Sequence, residues 1–409
     1  MSDNATIDGR AASQRIRGVL APVVTPFKAD LSPDSQRFIA HCRWLLSQNC
    51  GLAVFGTNSE ANSLAGKERA MLLEELVAAG VDPSRMMPGT GCCSIMETVR
   101  LTAQAVEHGC AGVLMLPPFY YKDVSEEGLY RYFSEVVQRV GDARLKIYLY
   151  HIPLVAVVGI TTGLVERLLA AYPNAIAGMK DSSGDWNNTK MFLDAFVRDR
   201  HETSSKSQTP SSKSQGRSEI QHPKGEGAFG ERRGGEMDTY ETSSKSQTPS
   251  SKSQGSFKIQ HSKGEAAFGA RRGGDVDNDG SFDVFVGSES FLLANMRYGG
   301  VGTISATANV NPAAIHELYT EWKNQDADEQ QAKLNVVRQV FSSRKFPSMI
   351  ATLKQAIAIY AEDPAWAKVR PPLVELTPEQ ANTLSEELKA IGFEMELKRK
   401  KEEGRIKEK

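Results

Sequence analysis

The chain has 409 residues, 40% hydrophobic and 24% charged, with a formal net charge of -1. That length admits one barrel or two ordinary domains, and the near-zero charge supplies no field to draw in nucleic acid or an acidic membrane. No window approaches the roughly 18 uninterrupted apolar residues of a membrane span, and the start carries no basic segment followed by an apolar one, so a cytoplasmic protein acting on a small molecule is expected.

Taken in chain order, short apolar runs rich in β-branched or small residues read as strands at 18–25, 51–55, 85–89, 112–116, 145–150, 175–179, 282–286 and 301–305. Helical periodicity fills the gaps at 34–48, 67–79, 94–108, 126–140, 162–171 and 186–198. Strands alternating with helices predict a parallel sheet, and eight such units predict a (β/α)8 TIM barrel. Beyond Asn311-Pro312, helical patterns at 313–324, 329–341, 348–361 and 378–390 follow without strands, which predicts a C-terminal helical region.

One segment breaks the alternation. Residues 202–216 recur as 241–255, and the pairs Arg232-Arg233 and Arg271-Arg272 share the same offset of 39. A repeat of that period could be a solenoid or a propeller blade, but both need a hydrophobic face to stack and at least about three copies. Ile220, Phe229, Phe257, Ile259 and Phe268 are all that 202–274 offers from the Leu, Ile, Val and Phe group. The segment therefore reads as a disordered insertion. The expected organisation is a tail at 1–17, a barrel at 18–199 and 281–310, the duplicated insertion at 200–280, a helical region at 311–396 and a charged tail at 397–409. An insertion between a helix and the following strand lies on the barrel face opposite an active site.

Cys42, Cys50, Cys92, Cys93 and Cys110 are odd in number and lack a metal-finger spacing, so reduced, mostly buried thiols are expected. The seven histidines, His41, His108, His151, His201, His222, His261 and His316, show no ligand spacing, and no metal or cofactor is implied.

Two chemical residues stand thirty positions apart, one strand-helix-strand unit: Tyr150 closes the run from Lys146, and Lys180 follows the run 175–179. As neighbouring parallel strands, these runs would bring an amine and a phenol to adjacent carboxyl ends. A lysine attacks a ketone only when neutral, and burial is what lowers a lysine pKa from about 10.4. A positioned tyrosine can then shuttle protons at the carbinolamine and the neighbouring carbon. Thr57, at the end of the second strand in Phe55-Gly-Thr-Asn-Ser-Glu60, supplies a further hydroxyl, and the Gly56-Thr57 turn offers N–H groups to a carboxylate.

Several ordered motifs resemble the dihydrodipicolinate synthase and N-acetylneuraminate lyase family of class I, pyruvate-dependent aldolases. Gly18-Val-Leu-Ala-Pro-Val-Val-Thr-Pro-Phe27 is similar to its first strand and Gly56-Thr-Asn-Ser-Glu60 to its Gly-Thr-Thr-Gly-Glu turn. Pro117-Pro-Phe-Tyr-Tyr-Lys122, Tyr150-His-Ile-Pro153, Gly178-Met-Lys-Asp-Ser-Ser-Gly184, Gly287-Ser-Glu289, the run 302–309 and Arg370-Pro-Pro372 extend the likeness over about 16–199 and 281–394. The resemblance implies a Lys180 imine, Tyr150 as proton carrier, and Thr57 linking it to Tyr120 from a neighbouring subunit, hence a homodimer or homotetramer. It also implies Gly56, Thr57, Asn58 and Ile304 as substrate-binding positions for pyruvate or another 2-oxo acid, with no cofactor.

Two departures bear on the substrate. Asn58 and Ser59 replace a hydroxyl residue and a glycine, and that glycine's place could demand unusual backbone angles. Val155 stands where dihydrodipicolinate synthases carry an arginine for the second substrate, which turns the expectation toward reversible aldol cleavage of a hydroxylated 2-oxo acid. His151, next to Tyr150, should point to the other side of the sheet and play a structural part. Alternatives within the family are dihydrodipicolinate synthesis and dehydration of a deoxy-oxo-sugar acid. Outside it stand a weakened barrel acting as a scaffold, with the insertion as a docking arm, and a metal-dependent aldolase.

Overall fold

Residues 15–198 and 282–395 are described by the structure, a computed structural model. The duplicated segment lies outside the described residues. Seven parallel strands form one sheet: β1 (Gly18–Ala21), β2 (Gly51–Leu52), β3 (Val113–Met115), β4 (Ile147–His151), β5 (Ile176–Asp181), β6 (Asp283–Val286) and β7 (Gly302–Ile304). Their order, β2-β1-β7-β6-β5-β4-β3, leaves β2 and β3 as neighbours of one vacant place.

The run 85–89 fills that place without forming the continuous eighth strand expected of it. Parallel bridges Leu52↔Met86 and Gly89↔Leu114 tie it to both neighbours. Met87 N–H donates to Leu52 O at 2.8 Å, Gly89 N–H to Val54 O at 2.7 Å, and Leu114 N–H to Pro88 O at 2.9 Å. Pro88 has no N–H of its own, so the ladder is interrupted there while the barrel still closes. Only glycine fits at 89, because a Cβ there would lie 2.2 Å from Phe55 O.

Helices α1 (Ser35–Ser47), α2 (Gly66–Ala78), α3 (Ile95–Glu107), α4 (Glu126–Val140), α5 (Pro153–Ala156), α6 (Thr162–Ala171), α7 (Trp186–Leu193), α8 (Leu292–Arg297) and α9 (Pro312–Glu321) alternate with the strands. Several begin where the sequence supplies an N-cap: the side chains of Ser94, Ser125, Thr161 and Asp185 each accept a hydrogen bond from an N–H in the first turn. Ile315 and Leu318 of α9 are buried in the same cluster as the barrel shell, and the Tyr319 ring lies 3.4 Å from where a Cβ on Gly18 would stand. This helix therefore takes the eighth helical place of the barrel, and α10 (Ala327–Phe341), α11 (Met349–Tyr360) and α12 (Pro378–Ala390) make the C-terminal region.

Three apolar clusters follow from this layout. Leu20, Ala53, Met87, Leu114, Tyr148, Ala177, Phe285 and Ile304 pack inside the barrel. A larger set sits between strands and helices, and a third, with Phe341, Leu353, Ile357 and Trp366, holds the C-terminal helices together. The amino end of the lumen is polar: Tyr148 Oη donates to Asp283 Oδ2 at 3.3 Å, and Arg15 and Arg17 lie 3.6 and 3.4 Å from the same carboxylate. After α7 comes a π-helical segment, Asp194–Arg198, and β6 begins at Asp283.

Cys42 and Cys50 are buried, Cys92 and Cys110 are half-buried, and Cys93 is exposed; all five are free thiols. Cys93 is thus the exposed exception among thiols expected to be mostly buried. Among the described residues, no helix is long and apolar enough to cross a membrane, and no three His, Cys, Asp or Glu side chains form a group that could hold a metal ion.

Candidate active site

Strand pairing builds the centre of the site. Parallel register sets Tyr150 of β4 directly beside Lys180 of β5. Tyr150 lies inside its strand, as the run 145–150 implies, and Lys180 lies inside β5 rather than just beyond the run 175–179. Tyr148 and Tyr150, two apart, point into the lumen, while His151 between Tyr150 and Ile152 faces the outer shell, as alternation requires. There its Nδ1 accepts the Ile160 N–H at 2.9 Å and its ring packs on Phe192 with centroids 5.9 Å apart. Burial pushes the His151 imidazole below its ordinary range, opposed in part by the Asp181 carboxylate. The expected structural part for His151 agrees with these contacts.

Lys180 is 4% exposed. Its Nζ donates to Tyr150 Oη at 3.3 Å and lies 4.4 Å from the centroid of that ring. Tyr150 Oη is in turn 3.2 Å from Thr57 Oγ1. Amine, phenol and hydroxyl thus form one continuous chain at the carboxyl ends of β5, β4 and β2. Lys180, Tyr150, Asn58 and Ile304 line a cavity of about 290 Å3 that opens to solvent. Gly56 and Thr57 line a smaller recess beside Tyr150.

The turn after β2 is a short 3-10 segment, Thr57–Ser59. Ser59 Oγ accepts the Gly56 N–H at 3.2 Å, so Gly56 shapes the turn and its own N–H is taken. The first donors of a helical segment, here the N–H groups of Thr57 and Asn58, have no carbonyl within the segment to bond. Those two N–H groups are suited to an incoming carboxylate. The left-handed residues are Phe55 (φ 60°) and Glu60 (φ 55°), on either side of the turn, and not Ser59, so the replacement of glycine at 59 imposes no such strain.

Tyr120 is 73% exposed and packs edge-to-face on Tyr121, itself 72% exposed, with centroids 5.3 Å apart. Within one protomer Tyr120 does not join the Lys180–Tyr150–Thr57 chain. Leu154 and Val155, 79% and 61% exposed, form an apolar wall of the cavity.

The cavity nevertheless holds a guanidinium. Arg338 of α10 lines it, and its Nη1 donates to Glu289 Oε2 at 2.9 Å and to Ser305 Oγ at 3.4 Å. Glu289, 1% exposed, also accepts from the hydroxyls of Ser305 and Thr307. In sequence, Arg338 is one basic residue on an amphipathic helix, and no local pattern separates it from an ordinary surface arginine. Asp181 was missed as well. Its carboxylate is held by Ser183 N–H at 2.9 Å and by the hydroxyls of Ser183 at 3.1 Å and Thr189 at 2.5 Å, which braces the residue next to Lys180.

Fold and site together define a TIM-barrel protein with a buried lysine amine, a phenol and a hydroxyl linked at the carboxyl ends of its strands. The dihydrodipicolinate synthetase family model matches residues 15–201 and 276–391, and the chain belongs to that family. It is 36% identical over 183 residues to an uncharacterized DapA-like lyase of Chloroflexus aurantiacus, covering 44% of this chain and 60% of that protein. It is also 36% identical over 181 residues to 4-hydroxy-tetrahydrodipicolinate synthase of Thermus thermophilus, covering 44% and 59%. These matches thus span about three-fifths of the relatives' length. Among solved structures, dihydrodipicolinate synthase from Agrobacterium tumefaciens superposes with a TM-score of 0.65 at 26% identity, over 92% of this chain and 99% of that one. A variant of Sulfolobus solfataricus 2-keto-3-deoxygluconate aldolase shares the fold with a TM-score of 0.64 at 15% identity, over 92% and 96%.

Proposed function

We propose that this protein is a class I lyase that joins pyruvate to an aldehyde, or releases it from a 2-oxo acid, through an imine on Lys180. The observation that carries this reading is the buried Lys180 Nζ standing 3.3 Å from Tyr150 Oη. In the cleavage direction, the neutral amine attacks the keto carbon of the 2-oxo acid and the carbinolamine loses water, leaving a protonated imine. The imine withdraws electrons as the carbon–carbon bond breaks, releasing the aldehyde and leaving an enamine. Protonation of the enamine carbon and hydrolysis return pyruvate and the free amine. Tyr150 moves the protons, and Thr57 relays them to its phenol. The N–H groups of Thr57 and Asn58 hold the substrate carboxylate, and Ile304 packs against the keto-acid end.

Tyr120, presented by a second copy, completes the relay, so a homodimer is the smallest active unit, working in the cytoplasm. At the aldehyde end, Leu154 and Val155 replace a guanidinium fork, while Arg338, held by the buried Glu289, and Ser288 offer polar groups from the other wall. That mixture suits a hydroxylated 2-oxo acid better than aspartate semialdehyde, although the relatives named as 4-hydroxy-tetrahydrodipicolinate synthases favour the latter as a second reading.

Borohydride reduction in the presence of pyruvate tests the imine. A pyruvate-derived adduct should be found by peptide mass spectrometry on Lys180 and be absent from Lys180→Ala. Pyruvate release from a panel of 2-oxo acids then ranks the substrates. Failure of the wild-type protein to take up the adduct at saturating pyruvate would overturn the assignment.

A further inference from the structure

We infer that the buried Lys354–Glu60 pair is a positioning device, by which the C-terminal helical region holds the carboxylate-binding turn Gly56–Ser59 in place. The inference rests on the function proposed above for that turn. Lys354, on α11, and Glu60, which ends the turn, both have wholly buried side chains, and Lys354 Nζ lies 2.8 Å from Glu60 Oε1. Glu60 Oε2 accepts the Arg370 N–H at 2.9 Å. One carboxylate therefore joins two separate parts of the C-terminal region to the end of the turn that follows β2.

A second route runs from the same amine. Lys354 Nζ donates to Thr25 O at 2.8 Å, and Thr25 Oγ1 donates to Ser59 O at 2.7 Å. Ser59 closes the turn through the Gly56 N–H. Both routes thus meet at the carboxyl end of the turn, one through Glu60 and the other through Thr25 to Ser59, whose hydroxyl in turn ties the Gly56 end, and both start from a single ammonium group that also sits 4.4 Å from the Phe27 ring centroid.

Stability alone gives no reason for such an arrangement. A fully buried ion pair is commonly no better for stability than apolar side chains of equal volume. Glu60 in addition adopts a left-handed backbone, which strains a residue that has a Cβ, and strain of this kind collects where geometry serves a site. Two and three residues before Glu60 stand Asn58 and Thr57, whose N–H groups would meet the substrate carboxylate. By contrast, Lys180 and Tyr150 are held by the β4–β5 ladder and do not depend on this pair.

The double variant Lys354→Met/Glu60→Gln removes both charges at near-constant volume, and so avoids leaving one buried charge unpaired. It should fold, reach borohydride trapping close to wild type at saturating pyruvate, and require about ten-fold more pyruvate to do so. Thr25→Val, which cuts only the second route, should require a few-fold more. Hydrogen exchange of the peptide covering 56–60 should quicken in both variants, while that covering 147–151 stays unchanged. Unaltered exchange at 56–60 in folded variants overturns the positioning role, whatever the chemistry proves to be. Unaltered pyruvate requirement overturns it equally. A wild-type protein that traps no pyruvate, yet whose variants loosen only the turn, sinks the imine reading and leaves the positioning supported by exchange.

Discussion

Replacing Tyr150 by Phe removes one oxygen from the centre of the proposed relay and little else. The ring is 3% exposed among the lumen side chains, so its packing survives the change. What disappears is the link to Lys180 Nζ at 3.3 Å and to Thr57 Oγ1 at 3.2 Å. Each such bond contributes about 0.5–1.5 kcal/mol to stability, so the fold should lose about 1–3 kcal/mol, a shift of several degrees in thermal midpoint. Loss of a positioned proton carrier costs far more in rate, about 100- to 10,000-fold, or about 3–5 kcal/mol in barrier height at 1.36 kcal/mol per factor of ten. The kinetic loss thus exceeds the structural one. Coupled assay of pyruvate release gives kcat, calorimetry gives the midpoint, and borohydride trapping should still label Lys180, though slowly. A Tyr150→Phe enzyme with kcat within about three-fold of wild type would refute the relay.

Further outcomes follow from other parts of the molecule. His41, wholly buried against Trp44 and Trp366, has its pKa pushed down to about 4 by burial. Below pH 6.5 the unfolded chain takes up a proton at His41 that the folded chain refuses, so stability should fall from pH 6.5 toward pH 4, by about 3 kcal/mol from this residue. Denaturant titrations across that range should show a shallower pH slope in His41→Phe. Gly89→Ala would set a methyl against Phe55 O and push the closing segment away from β2, destabilising by about 1–3 kcal/mol and raising the pyruvate requirement; an unchanged thermal midpoint would contradict this packing. Arg338→Gln should leave pyruvate trapping intact and alter KM for the full 2-oxo acid, as steady-state kinetics with the best substrate of the panel will reveal.

Much of the barrel is readable in the residues because secondary-structure period is a local property. Helix bounds such as Glu126–Val140, Thr162–Ala171 and Pro378–Ala390 coincide with the runs expected from periodicity, since caps at Ser125, Thr161 and Thr377 punctuate them in the sequence itself. The eighth strand was misjudged because Pro88 interrupts a ladder whose partners, β2 and β3, are distant in sequence. Likewise α9, expected with the C-terminal helices, joins the barrel because Ile315 and Leu318 find their core there. Amphipathic helices declare that they bury a face, and not against what.

Order and chemistry along the chain were therefore set by the sequence alone: alternating strands and helices, a lysine and a tyrosine one unit apart, and a hydroxyl-bearing turn after the second strand. Distances were not. The Tyr150–Lys180 register, the reach of Arg338 into the cavity and the Lys354–Glu60 pair join residues 30, 49 and 294 positions apart, counting Arg338 from its partner Glu289. Contacts of that kind arise only once the barrel has closed, because a side chain's charge and shape are local while its partner is chosen by the packing of the whole chain.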